Sequence, residues 1–88
     1  MLRLEYTQEA EDNLNAMFRY GAAYWGEAHA QRYLNKFAKD LSILCLQPEI
    51  GKVTGELRVL PINQYMIVYT FNEENVTVHS IRPKGQPR

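Results

Sequence analysis

Apolar residues alternate at the start of the chain and then change to helical spacing. Leu2, Leu4 and Tyr6 lie on one side of an extended segment, which predicts a half-buried strand. Thr7 is a favourable N-cap, and the acidic residues after it suit the positive end of a helix dipole. The following apolar residues predict the core face of a first helix that Gly26 ends: Ala10, Leu14, Met17, Phe18, Gly21 and Trp25.

A second helical pattern begins directly after Gly26. Pro48 is its predicted end, because proline cannot donate the next backbone hydrogen bond of a helix. Two helices joined by one glycine-centred turn form an antiparallel hairpin. The apolar face of the second helix is predicted to contain Ala30, Leu34, Phe37, Leu41, Leu44 and Cys45.

The second half of the chain is rich in β-forming residues. PEIGKVTGE (48–56) is predicted to be a loop, and LRVLPI (57–62) a short strand that Pro61 places at an end or an edge. YMIVYTF (65–71) is apolar on both faces and predicts a central strand, with VTVHSI (76–81) antiparallel to it after a short turn. The predicted fold is therefore α+β, in the order β-α-α-β-β-β, with a helix hairpin packed on one face of a small, mostly antiparallel sheet.

Length and composition limit the function classes. The 88 residues predict a single domain, residues 1–88, and ten basic residues balance ten acidic ones. A neutral chain is not expected to bind nucleic acid directly on its own. No apolar run approaches the length of a membrane span, the N-terminus lacks the apolar stretch of a signal peptide, and there is one cysteine. We therefore expect a cytoplasmic protein without a membrane partner.

Few residues offer catalytic or metal-binding chemistry. His29, His79 and Cys45 are far apart in sequence and belong to different predicted elements, so we expect neither a metal nor a cofactor. Cys45 lies on the apolar stripe of the second helix, which favours a buried structural thiol. His79 lies among apolar residues of the last strand, where a packed or surface histidine is the simpler interpretation.

Two surface features stand out. The first helix has a second apolar stripe, which is either an extension of the buried face or a partner-binding surface. Its residues are Ala16, Tyr20, Ala23 and Tyr24. The second feature is a basic set near the sheet and in the C-terminal tail, which is either a solvated surface or a site for an acidic target. Its residues are Arg58, Arg82, Lys84 and Arg88.

Six segments in order and spacing resemble the ParE branch of the RelE/ParE toxin superfamily. The resemblance implies a helix hairpin on an antiparallel sheet and a role as the toxin of a bacterial type II toxin–antitoxin pair. It also implies a cognate antitoxin partner, which we expect to dock as a folding segment on the stripe containing Tyr20. The segments are YTQEAEDNL, YWGEAHAQRYLNKF, LSILCLQPEIGK, ELRVLP, YMIVYTF and VTVHSI.

The superfamily contains two activities: RelE-like members cleave mRNA on the ribosome, and ParE-like members poison DNA gyrase. RelE-like proteins carry an arginine in the central-strand motif where this chain has Met66. Methionine cannot stabilise the charge that develops on a phosphate during RNA cleavage. Together with the neutral charge, this favours a gyrase-binding toxin rather than a catalyst. The expected target-binding residues are Arg58, Arg82, Lys84 and Arg88.

Two alternatives stay open at this point. The first is a RelE-like, ribosome-dependent mRNA endonuclease, in which Arg58, Tyr65, Arg82 and Lys84 would be the catalytic set. The second is a non-toxic member that keeps only antitoxin binding. Ser80 and Pro83 support this second alternative, because ParE-like sequences often have an arginine and a histidine at these positions.

Overall fold

The computed structural model describes residues 1–85. Two helices, α1 (Gln8–Trp25) and α2 (Glu27–Leu41), pack on one face of a five-stranded sheet. The strand order is β1-β5-β4-β3-β2; β1 pairs parallel to β5, and the other pairs are antiparallel. The predicted α+β fold is therefore confirmed. The strands are β1 (Arg3–Tyr6), β2 (Lys52–Thr54), β3 (Leu57–Ile62), β4 (Tyr65–Phe71) and β5 (Asn75–Pro83).

The helix hairpin forms as the sequence indicates. The Thr7 hydroxyl accepts a hydrogen bond from the Ala10 amide, which caps the first turn of α1. Gly26 adopts a φ of +91°, a conformation that favours glycine, and joins the two helices. A Cβ built at Gly21 would lie 3.2 Å from the Ala30 side chain, so the lack of one lets the helices approach closely.

The second helix is shorter than predicted. It ends at Leu41, and a separate four-residue helix, α3 (Ile43–Leu46), precedes Pro48. At the junction, the Ser42 amide and hydroxyl both donate to the Lys39 carbonyl. This three-residue bond of the amide takes the place of the regular four-residue helical hydrogen bond. The expectation of one continuous helix up to Pro48 is wrong, although Leu44 and Cys45 are buried as predicted.

The segment predicted to be a loop contains an additional strand. Residues Pro48–Ile50 form a 3₁₀ turn, and Lys52–Thr54 pair antiparallel with β3 as β2, the edge strand. The Tyr69 hydroxyl donates to the Pro48 carbonyl at 2.7 Å and accepts from the Gly51 amide at 2.8 Å. These two bonds fix the entry to β2, because both backbone groups have their partner in one buried side chain.

The core lies between the helices and β4 and β5. The largest completely buried side chains on the sheet are Ile67, Tyr69, Val76 and Val78. A β-bulge between Val68 and Tyr69 shifts the register of β4 against β5. No helix among residues 1–85 is both long and apolar enough to cross a membrane.

Candidate functional site

An apolar cleft of about 300 Å³ opens between the two helices and the β3–β4 turn. Gly21 and Ala30 form its floor, where the helices approach each other most closely. We name it the hairpin cleft, and its lining includes no Lys, Arg, Asp or Glu. It is lined by Met17, Tyr20, Gly21, Trp25, His29, Ala30, Tyr33, Gln64 and Tyr65.

Aromatic rings surround the mouth of this cleft and continue onto its rim. The rings of Tyr20 and Tyr24 are 4.6 Å apart, and Trp25 meets Tyr20 edge to face at 6.2 Å. The His29 ring lies 5.9 Å from Trp25, across the turn between the helices. Tyr20, Tyr24 and Trp25 are each more than 60% exposed, so three large aromatic side chains project into solvent side by side. Exposed aromatic clusters of this kind are typical of binding surfaces.

The tyrosine hydroxyls of the cleft influence one another. Burial raises the pKa of Tyr65 above its usual value, and the neighbouring Tyr20 raises it further. Burial likewise raises the pKa of Tyr33, with smaller contributions from Tyr65 and from the carboxylate of Asp40. Burial and the Asp40 carboxylate thus disfavour a negative charge on these phenols, which stay protonated at neutral pH.

The predicted stripe on α1 is exposed, but only part of it belongs to the cleft. Ala16, Tyr20, Ala23 and Tyr24 are all solvent-accessible. Tyr20 lines the hairpin cleft, and Ala16 lines a shallower groove that continues from it toward the end of β5. Ala23 and Tyr24 lie outside both depressions, although the Tyr24 ring packs against Tyr20.

Trp25 was expected in the core, and that expectation is wrong. The side chain is 61% exposed because it is the last residue of α1, where it meets the first turn of α2 rather than the sheet. His29, Gln64 and Tyr65 were not expected to be neighbours of Tyr20. The helical spacing from Met17 to Trp25 could have grouped the residues of α1, but not those that other elements contribute.

The face of the sheet opposite the helices carries a second depression, which we name the open sheet face. Val59, Met66 and Val68 form its apolar floor, and His79 and Arg82 lie on the same surface. The His79 ring Nε2 lies 2.8 Å from the Thr70 hydroxyl. The Arg82 guanidinium lies 3.8 Å from the Glu9 carboxylate, with both side chains mostly exposed.

The structure does not bring the four predicted basic residues together. Arg58 pairs with Tyr69 on the helix side of the sheet, whereas Arg82 pairs with Met66 on the open face. The Arg58 guanidinium donates to the carbonyls of Glu49 and Gly51 and lies 5.5 Å from the centre of the Phe71 ring. It is therefore held in place by the loop before β2 and does not share a face of the sheet with Arg82.

The remaining predicted residues lie at the far end of β5 or outside the described residues. The Lys84 amide donates to the Gln64 carbonyl, which places Lys84 beside the β3–β4 turn, and its side chain is exposed. Tyr65 faces the core, where its ring meets Phe37 at 5.6 Å, so it does not share a surface with Arg82. Arg88 lies outside the described residues.

Cys45 is a buried free thiol, as predicted, and burial raises its pKa. Within residues 1–85, no three His, Cys, Asp or Glu side chains are grouped closely enough to hold a metal ion. Among the described residues, the hairpin cleft gathers exposed aromatic side chains, and the open sheet face combines an apolar floor with His79 and Arg82.

Comparison with known proteins identifies the family. No protein of curated function matches the chain in sequence. The fold is similar to the structure "Chromosomal ParDE TA system from P. aeruginosa", with a TM-score of 0.80 at 15% identity over 94% of this chain and 96% of that one. It is also similar to the archaeal RelE-RelB complex from Pyrococcus horikoshii OT3, with a TM-score of 0.54 at 18% identity over 98% of each chain.

These structures show the fold, and a sequence model of a protein family gives a more specific assignment. The model of the ParE toxin of the type II toxin-antitoxin system, parDE, matches residues 4–87, which is nearly the whole sequence. This range includes α1, α2 and every strand except the first residue of β1, Arg3. The chain therefore belongs to the family of ParE toxins of type II toxin–antitoxin systems.

Proposed function

We propose that this toxin inhibits DNA gyrase and that a cognate antitoxin neutralises it. The family match over residues 4–87 is the observation that carries the proposal, since gyrase is the target that the ParE resemblance implies. The neutral net charge and Met66 support it against RNA cleavage. Met66 lies on the open sheet face beside Arg82 and supplies no charge that could stabilise a transition state there.

The end of β5 is the proposed contact with gyrase. Arg82 and Lys84 are both exposed there, and among residues 1–85 the one ion pair of Arg82 is the long, solvent-exposed pair with Glu9. Such a pair contributes about 0–1 kcal/mol, so an acidic partner can replace it at little cost. Arg58 is less suited to this role, because its guanidinium already donates to two backbone carbonyls.

The exposed stripe on α1 is the proposed contact with the antitoxin. Tyr20 and Tyr24 supply two rigid aromatic side chains, and the small side chain of Ala16 leaves room in the adjoining groove for a docked segment. Aromatic residues of this type supply much of the affinity at protein interfaces. The two proposed contacts use different residues, so substitutions can separate them.

A charge substitution tests the proposed gyrase contact. Arg82→Ala is expected to raise the toxin concentration for half-maximal gyrase-mediated DNA cleavage about tenfold, the change that about 1.4 kcal/mol produces. Arg3→Ala is the matched control, because Arg3 is also an exposed strand arginine but pairs with the opposite end of β5. Equal potency of the two variants and the unaltered toxin would place the gyrase contact elsewhere.

A second candidate function is RNA cleavage, and one observation favours it. The open sheet face brings together Arg82, a cation, and His79, a group able to transfer protons. This pair differs from the set expected from sequence, in which Tyr65 and Arg58 lie on the other side of the sheet. The contact between His79 and Thr70 already occupies one ring nitrogen, which weakens this candidate.

A further inference from the structure

The hairpin cleft combines aromatic faces with hydrogen-bond acceptors. Tyr20, Trp25, Tyr33 and Tyr65 contribute rings, and their neighbours His29 and Gln64 contribute a ring nitrogen and an amide oxygen. The three tyrosines also carry hydroxyl oxygens, which accept hydrogen bonds. A purely apolar anchor would fill the space but leave these acceptors without partners.

The aromatic faces around the cleft favour a positive charge. The lining contains no Lys, Arg, Asp or Glu, and the nearest carboxylate that acts on it is Asp40, which influences Tyr33 from the end of α2. Asp40 accepts a hydrogen bond from Asn63 of the β3–β4 turn and lies 3.5 Å from the Lys36 ammonium. The π faces of aromatic rings are themselves negative, so a cation over them gains energy from each exposed ring.

Among biological cations, the guanidinium of arginine fits this arrangement better than an ammonium. It is planar, stacks on aromatic faces and offers five N–H donors in a fixed geometry. The edge-to-face packing of Trp25 against Tyr20 leaves ring faces at a large angle to each other, so a flat group can lie on one and meet the edge of the other.

We propose that the hairpin cleft is an arginine-binding site that receives one arginine side chain from the docked segment of the antitoxin. The guanidinium lies on the face of one of the two rings, Tyr20 or Trp25, meets the edge of the other, and donates to the oxygens of Tyr33, Tyr65 and Gln64. This inference rests on the proposed antitoxin partner. It goes beyond that partnership by naming the antitoxin side chain that the cleft binds.

Short peptides test the chemistry of the cleft without the antitoxin. The probes are end-blocked alanine pentapeptides whose central residue is arginine, citrulline, lysine or leucine; citrulline is a neutral analogue of arginine with nearly the same shape. Trp25 is the only tryptophan, so its fluorescence reports on the cleft directly. At constant ionic strength, the arginine peptide is expected to bind about fivefold more tightly than the citrulline peptide.

A matched pair of variants assigns that preference to an aromatic ring. Tyr20→Phe keeps the ring and should keep the preference for arginine, whereas Tyr20→Leu keeps apolar bulk and should abolish it. Tyr20 is 61% exposed, so both variants are expected to fold, and a thermal unfolding curve verifies this. Equal or tighter binding of the citrulline or leucine peptide, or no saturable binding of any peptide, overturns the inference.

The antitoxin itself separates this inference from the proposed function. If the antitoxin binds and replacement of each of its arginines by citrulline leaves the affinity unchanged, only the arginine site is wrong. If the antitoxin does not bind at all, the proposed partnership is wrong. If replacing one particular arginine by citrulline lowers the affinity, and this difference disappears with the Tyr20→Leu toxin, both the antitoxin partnership and the arginine site are supported.

Discussion

Removing one hydroxyl group should destabilise the whole toxin, because Tyr69 holds the segment that leads into β2. In Tyr69→Phe the ring stays buried, but the Pro48 carbonyl and the Gly51 amide lose their partner. Each hydrogen bond contributes about 1 kcal/mol, and each buried group left unpaired costs about 1–3 kcal/mol. We expect a loss of about 2–4 kcal/mol in the free energy of unfolding, a large fraction of the total for a small domain.

Urea denaturation measures this loss. With a slope near 1 kcal/mol per molar, typical of small domains, the midpoint of Tyr69→Phe should fall by about 2–4 M. Tyr6→Phe is the control, because the Tyr6 hydroxyl makes no hydrogen bond to any other described residue. Its effect should stay within about 0.5 kcal/mol. If the two variants lose equal stability, the hydroxyl of Tyr69 does not anchor this segment.

Two further predictions follow from the exposed aromatic residues and from the buried tyrosines. Tyr20→Ala and Tyr24→Ala should each weaken antitoxin binding by about 1–3 kcal/mol without changing the melting temperature, whereas Leu46→Ala, equally exposed but on α3, should leave calorimetric affinity unchanged. Burial raises the pKa of Tyr65 and Tyr69 in the folded protein. As the pH rises, these tyrosines therefore ionise first in the unfolded chain, near pH 10, and this favours unfolding. The urea midpoint should therefore be level below about pH 9 and fall as the pH rises above 10; a constant midpoint up to pH 11 would contradict this.

The sequence predicted those elements whose apolar residues repeat regularly. α1 and β4 follow clear helical and strand patterns, so both were expected within two residues of their observed bounds. β2 could not be found this way, because a three-residue strand has no period, and its entry is fixed by a hydrogen bond that the Gly51 amide donates to a tyrosine 18 residues away. The break in α2 was hidden because its apolar spacing continues across Ser42.

The candidate sites depended on register, which the sequence did not reveal. Alternation within a strand shows which of its residues share a face, but not which residues of the neighbouring strands lie on that same face. Arg58 and Arg82 lie on opposite faces because of the pairing of β3, β4 and β5, which includes a β-bulge. The buried residues Val76, Val78 and Ile81 are spaced by two and then by three, and this change in spacing is the sequence signal of the bulge.

One paired assay shows whether the toxin acts on gyrase or on mRNA. Purified toxin would be added to gyrase with supercoiled plasmid and, in parallel, to a translating extract with a defined mRNA. Gyrase inhibition predicts gyrase-dependent linear DNA that disappears when the antitoxin is added, together with intact mRNA. Ribosome-dependent cleavage of the mRNA, with no effect on gyrase, would refute gyrase inhibition and favour RNA cleavage, for which His79 and Arg82 on the open sheet face are the first residues to substitute.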